Sequence, residues 1–175
     1  MAITKDVHLK EGKASPMEGR RSPVAWMTFG LRLSLGWIFL WAGADKLYSQ
    51  ASGSSATAGY LQFATFGPLS GFFQSLAGSA IVEGLVVWGL LLIGIALILG
   101  AMTRVAAISG AVMMVLFYAS AMPPAHNPFM DDHIVYALLL VFLGVIGAGR
   151  FLGMDGIIEK TGLVRRRPRL ATLLG

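Results

Sequence analysis

The chain has 175 residues, of which 55% are hydrophobic and 13% charged, and its mean hydropathy is +0.69. A soluble domain carries roughly 25% charged residues, so the composition points to insertion in a membrane. The absence of cysteine excludes disulfides, thiolate metal sites, iron–sulfur clusters and covalent c-type haem within this chain. The net charge of +5 is concentrated in "RRSP" and "RRRPR" at the two ends, which flank apolar sequence and indicate membrane topology rather than nucleic-acid binding.

Residues 1–24 form a polar arm with five basic and three acidic side chains and no signal-peptide core. The first apolar segment, "WMTFGLRLSLGWIFLWAGADKL", covers residues 26–47 and contains Arg32, Asp45 and Lys46. From Leu47 to Val82 there is no charge. Within that stretch, residues 57–78 hold five aromatics around a central Gly67-Pro68. Gly-Pro breaks a helix, so two short pieces lying in the interface or re-entering it are expected. The second span covers residues 80–102 and is interrupted only by Glu83. After the tight turn "GAMTR", the third covers 105–122 and ends at "PP". The fourth, residues 133–149, is about 25 Å of helix.

Four spans place both termini on one side. The basic residues of the arm, together with Lys160, Arg165, Arg166, Arg167 and Arg169, put that side in the cytoplasm. The loop at 123–132 carries acids and no Lys or Arg, as an outer loop should. A fifth span at 57–78 would move the C-terminal arginines outside, which is why that segment is read as interfacial. The expected fold is an all-α membrane protein: a four-transmembrane-helix bundle with an interfacial or re-entrant insert between spans one and two. Residues 25–160 form this domain and 161–175 a basic cytoplasmic tail, in the plasma membrane. Gly30, Gly36, Gly43, Gly84, Gly89, Gly94 and Gly110 are expected to be small contact points between helices.

Ionisable groups inside spans need a partner or a cavity. Topology sorts them into two levels. Near the outer face lie Asp45, Lys46, Glu83, Asp131, Asp132 and His133, with His126 in the adjoining loop. Asp131 or Asp132 suits the N-cap of the fourth span. Glu83 lies inside its helix start, where a carboxylate needs Lys46 or a proton, so these two are expected to pair through hydrogen bonds or one water. His126 and His133 are too weakly arranged for a metal site, and none is expected. His133 and Tyr136 share a helix face and should point into the bundle rather than at lipid. Near the inner face, Arg104 and Arg150 read as interface anchors. Arg32 lies deeper and can reach helix C-terminal carbonyls, Asp155 or an anionic lipid head.

"LRLSLGWIFLWAGADKL", "GLLLIGIALILGAMTRVAA" and "DDHIVYALLLVFLGVIGAGRFLGMD" together resemble the DoxX/DoxD family of small four-helix membrane proteins. The resemblance runs through Arg32, Gly36, Gly43 and Lys46, then Gly100, Thr103 and Arg104. It continues through Asp131 or Asp132, His133, Tyr136, Gly147, Gly149, Arg150 and Asp155. "GPLSGFFQSLAG" resembles the DoxD branch in particular. The likeness covers roughly residues 26–160. It implies a membrane subunit of a redox complex, of the thiosulfate:quinone oxidoreductase kind, working with separate partner subunits in the bilayer.

Two readings follow. In one, the chain is a quinone-linked subunit of a respiratory or sulfur-compound oxidoreductase. Such chemistry needs a titratable group beside an apolar ring pocket. Glu83, Lys46, His133 and Asp132 are the candidate catalytic groups, and Trp41, Tyr48, Tyr136 and Arg32 the candidate quinone or lipid contacts. No cofactor is encoded by the chain itself, and quinone is the cofactor this reading implies. In the other, it is a non-catalytic accessory subunit of a larger respiratory assembly.

Overall fold

The computed structural model describes residues 23–124, 129–161, 164 and 171–175. Most of them are helical, and none lies in a strand. Helix α1 runs over Pro23–Ala51, α2 over Ala56–Phe63, α3 over Ser70–Ser75, α4 over Ala80–Leu99, α5 over Thr103–Ser120 and α6 over Asp132–Ile146. A 3₁₀ turn, Ala148–Arg150, and the short α7, Asp155–Ile158, follow. His126, the polar arm up to residue 22 and the run of arginines at 165–169 lie outside the described residues.

Helices α1, α4 and α5 are long and apolar enough to cross a membrane. The proline that opens α1 stands where a helix needs no N–H from it. Helix α6 is also apolar but has 15 residues, or about 22 Å of rise. The four helices share one core, with Leu35 and Phe39 from α1, Leu90 and Leu97 from α4, Met114 from α5, and Leu140 and Leu143 from α6. Their opposite faces expose Trp37, Leu92, Val112 and Val141 among others, as a lipid-facing surface requires.

Small residues set the closest approaches. Gly36 lies against Gly94 and Ile98, and Gly43 against Leu91, so α1 and α4 run antiparallel. A Cβ on Gly94 would fall 2.5 Å from the backbone nitrogen of Leu40. On the other side of the bundle Gly144 of α6 meets Ala107 of α5, again antiparallel. Gly110 faces Phe39, Ile93 and Leu140 at the bundle centre, and Gly89 meets Met113. Gly30 and Gly84 are different: each faces open space and mediates no helix contact.

Between α1 and α4 the chain forms two short helices instead of one span. Helices α2 and α3 have 8 and 6 residues, about 12 and 9 Å, too short to cross. The Ser55 hydroxyl caps α2 by accepting from the Ala58 N–H at 3.0 Å. The insert is fastened to the end of α5, where the Phe66 N–H donates to the Ser120 carbonyl at 3.0 Å. Gly67 follows at φ +77, and a Cβ there would lie 1.7 Å from the Met122 carbonyl oxygen. Only glycine fits this crossing.

At the opposite end of the bundle a buried polar clasp joins the α4–α5 turn to the chain that follows α6. Asp155, 0% exposed, accepts from the Met102 N–H at 2.7 Å and the Thr103 N–H at 2.9 Å. Its carboxylate thus caps α5 from 52 residues away in sequence, a role no local side chain fills. The same carboxylate accepts from the Gly175 N–H at 3.0 Å, so the chain returns at 171–175 to pack beside Thr103. Arg32 is also 0% exposed. Its guanidinium donates to the carbonyls of Ala148 at 2.8 Å, Phe151 at 3.2 Å and Leu152 at 3.1 Å.

Candidate ligand cavity

A cavity of about 230 Å³ opens inside the bundle at the end that carries the insert. Helical spacing explains its lining. Ile38, Ala42 and Lys46 recur every four residues on α1 and present one stripe to it. His133 and Tyr136, three apart on α6, face that stripe. Leu90 of α4 with Met114 and Phe117 of α5 form the back, Phe39 the floor, and Tyr60 of α2 the roof. The walls are therefore aliphatic and aromatic, while the polar groups converge toward one end.

The aromatic roof is held in place. Ser120 Oγ donates its single proton to the Phe117 carbonyl at 2.7 Å. The Tyr60 hydroxyl, 2.8 Å from Ser120 Oγ, must then be the donor of that second bond. Phe117 stands edge-to-face with Tyr60 at 6.1 Å and with His133 at 5.9 Å. The insert, the end of α5 and the start of α6 thereby share one aromatic contact chain.

His133 is oriented by its neighbour. Asp131 is the N-cap of α6 and accepts from the His133 N–H. The same oxygen, Oδ1, lies 2.7 Å from His133 Nδ1. A carboxylate acceptor at this distance places a proton on Nδ1 and leaves Nε2 to meet a ligand. Of the two candidate aspartates, Asp131 is thus both cap and partner of the histidine. Asp132 sits in the first turn of α6, exposed and away from the lining.

Lys46, His133 and Tyr136 come together around one space, as their helix faces suggest. Glu83 is half-buried in the first turn of α4, and accepts from Gln50 Nε2 at 3.4 Å. Of the expected Lys46–Glu83 pairing, the direct ion pair does not form. Among the described residues the ion pairs are His133–Asp131 and Arg150–Glu159. The reason is helical register: Gln50 lies one turn beyond Lys46 on α1, level with Glu83, while Lys46 turns into the cavity. Trp41 and Tyr48 point outward, 64% and 74% exposed, and Trp41 stacks on Trp37 at 6.0 Å. Arg32 belongs to the clasp at the other end of the bundle, where three carbonyls take its donors.

Sequence reasoning did not single out Tyr60, Phe117, Met114, Ala42 and Ile38. The five aromatics of the insert were visible as a group, but nothing in the sequence says which one reaches Ser120, 60 positions further on.

Residues 27–122 match the family model described as DoxX. No curated protein and no solved structure matches the chain.

Proposed function

Because the chain belongs to the DoxX family, we propose that it is a membrane subunit of a quinone-linked redox complex, of the DoxD kind, whose cavity beside Lys46 and His133 receives a quinone ring. One observation carries this reading: an apolar, aromatic-walled space converges on an ammonium and on an imidazole held by a carboxylate. At about 230 Å³ the cavity is smaller than the roughly 300–1,000 Å³ typical of drug-sized ligands, a size suited to a single substituted ring. The donor set fits as well, since Lys46, Tyr136 and His133 offer hydrogen bonds to carbonyl oxygens.

A bound quinone supplies the capacity to take up electrons and protons. The residues of this chain bind, orient and move protons. Lys46 places positive charge where negative charge develops on a ligand oxygen. His133 Nε2 gives or takes the proton, and Asp131 holds the ring in place through Nδ1. Phe117 and Tyr60 hold the space open and flat. Electrons come from a partner subunit that handles the donor, a reduced sulfur compound in the DoxD reading.

In this reading α6 is the fourth span, the insert lies at the outer interface, and both termini face the cytoplasm of the cell. Uncharged helices with exposed Phe63, Phe66 and Phe72 suit a membrane–water boundary. The test is purification of the complex in mild detergent, with identification of co-purifying subunits and extracted quinone. His133→Ala should reduce quinone-linked turnover more than it reduces assembly. Equal loss of both would make the residue structural and leave the chain an accessory subunit.

A further inference from the structure

We infer that the cavity is entered sideways from the bilayer, through the seam between α1 and α6 at Ile38 and Ala42, so that its ligand is an amphiphile with a carbonyl-bearing ring and an apolar chain. The inference rests on the quinone reading for the ring and goes beyond it in fixing the route and the chain.

The other helix seams are closed, and the end at Lys46 and His133 is part-exposed. Between α1 and α4, Gly36, Gly43 and Gly94 bring the backbones together. Between α5 and α6, Gly144 sits on Ala107. Toward α4 and α5 the cavity ends on Leu90 and Met114, both buried. Above, Tyr60 is hydrogen-bonded to Ser120. Below, Phe39 and Leu140 both reach Gly110 and close the centre of the bundle.

The α1–α6 seam has no such closure at the cavity's level. Ile38 lines the cavity and is 39% exposed on the same face of the helix, so its side chain stands at the boundary between the two. Trp37 and Trp41 flank it on the lipid side. Ala42, one turn further along, adds only a methyl group to the rim. A ligand coming this way meets apolar surface first and Lys46 and His133 last. That order suits a polar ring drawn in ahead of a chain that stays against Ile38 and in lipid. A small water-soluble anion would instead need an opening at the insert, past Tyr60 and Lys46.

Photolabelling in nanodiscs tests the route. The full chain in phosphatidylcholine is exposed to a benzoquinone whose decyl tail carries a diazirine near the ring, and labelled peptides are mapped by mass spectrometry. Saturable labelling is expected at Ile38, Ala42 or Trp41, displaced by excess untagged decyl benzoquinone. Ala42→Phe should lower it about tenfold while the thermal transition of the variant is retained, one decade being the ordinary unit of a lost contact. Saturable labelling on the insert outside the cavity lining, between residues 62 and 72, with none at the seam overturns the lateral route and leaves the quinone reading standing. Labelling at the seam that Ala42→Phe leaves unchanged also overturns it. The absence of any saturable labelling overturns both.

Discussion

Arg32 offers the sharpest stability prediction, because its environment is fully specified. Its guanidinium is 0% exposed and donates to three backbone carbonyls that follow α6. Gly153 leaves room here, since a Cβ there would lie 2.4 Å from the Gly149 carbonyl oxygen and 2.5 Å from Arg32 Nη1. Arg32→Met removes the charge, keeps most of the volume and orphans those carbonyls. Hydrogen bonds to a charged group contribute about 1.5–3 kcal/mol each. Three would give an upper bound, because the freed carbonyls find other partners in part. A buried polar group left unsatisfied costs about 1–3 kcal/mol, so with partial rescue of the three carbonyls the expected loss is about 3–5 kcal/mol. For a chain of this size it corresponds to a fall in Tm of about 6–20 °C. Arg32→Lys keeps the charge but cannot span three acceptors with one ammonium, so about 1–3 kcal/mol is expected. Arg150→Met is the control, because Arg150 binds Glu159 through Nε at 3.0 and 3.1 Å on an exposed surface. Such a pair contributes about 0–1 kcal/mol. The assay is thermal unfolding in mild detergent, followed by tryptophan fluorescence. If Arg32→Met and Arg150→Met shift the transition equally, the clasp does not hold the bundle together.

Three further outcomes follow from the same geometry. Gly67→Ala forces a side chain into the Met122 carbonyl at φ +77, so the insert should detach from α5 and become sensitive to limited proteolysis while the bundle stays resistant. Lys46→Met and Glu83→Gln should be additive within about 0.5 kcal/mol in a double-mutant cycle on thermal stability, because the two do not touch. Coupling is expected instead between Gln50 and Glu83, at about 0.5–1.5 kcal/mol. Asp131→Ala removes the cap of α6, at a cost of about 0.5–2 kcal/mol, and also frees the His133 ring. Ligand affinity should therefore fall more than a cap alone explains, whereas Asp132→Ala, at an exposed position, should leave it unchanged.

The helices were legible because apolar runs, Gly-Pro and the turn after Leu99 are local signals. The insert was legible for the same reason: Gly67-Pro68 cannot continue a helix, and the chain forms α2 and α3 on either side of it. That His133 and Tyr136 share one inward face followed from helical spacing, whereas Lys46, not Glu83 or Asp132, joins them at the cavity. What the sequence did not carry was register between helices. Whether Lys46 or Gln50 stands level with Glu83 is decided by Gly43 seating on Leu91, a contact between residues 48 positions apart. Arg32 could reach carbonyls, Asp155 or lipid, and only the 3₁₀ turn after Gly147 brings the carbonyls within range. Asp155 as a remote cap of α5 was hidden for the same reason, although the empty cap position at Met102 was a signal in principle.

The central claim is that the cavity between α1 and α6 binds a quinone ring through Lys46 and His133. Equilibrium binding of decyl benzoquinone to the purified chain in nanodiscs tests it most directly, with Lys46→Met and His133→Ala beside Tyr48→Phe. Saturable binding is expected that weakens about tenfold or more in each of the first two variants, a loss of about 1.4 kcal/mol. Tyr48→Phe, at an exposed ring outside the lining and away from the seam, should bind as the parent does. Saturable binding that survives both cavity substitutions, or no saturable binding by the parent chain, would contradict it.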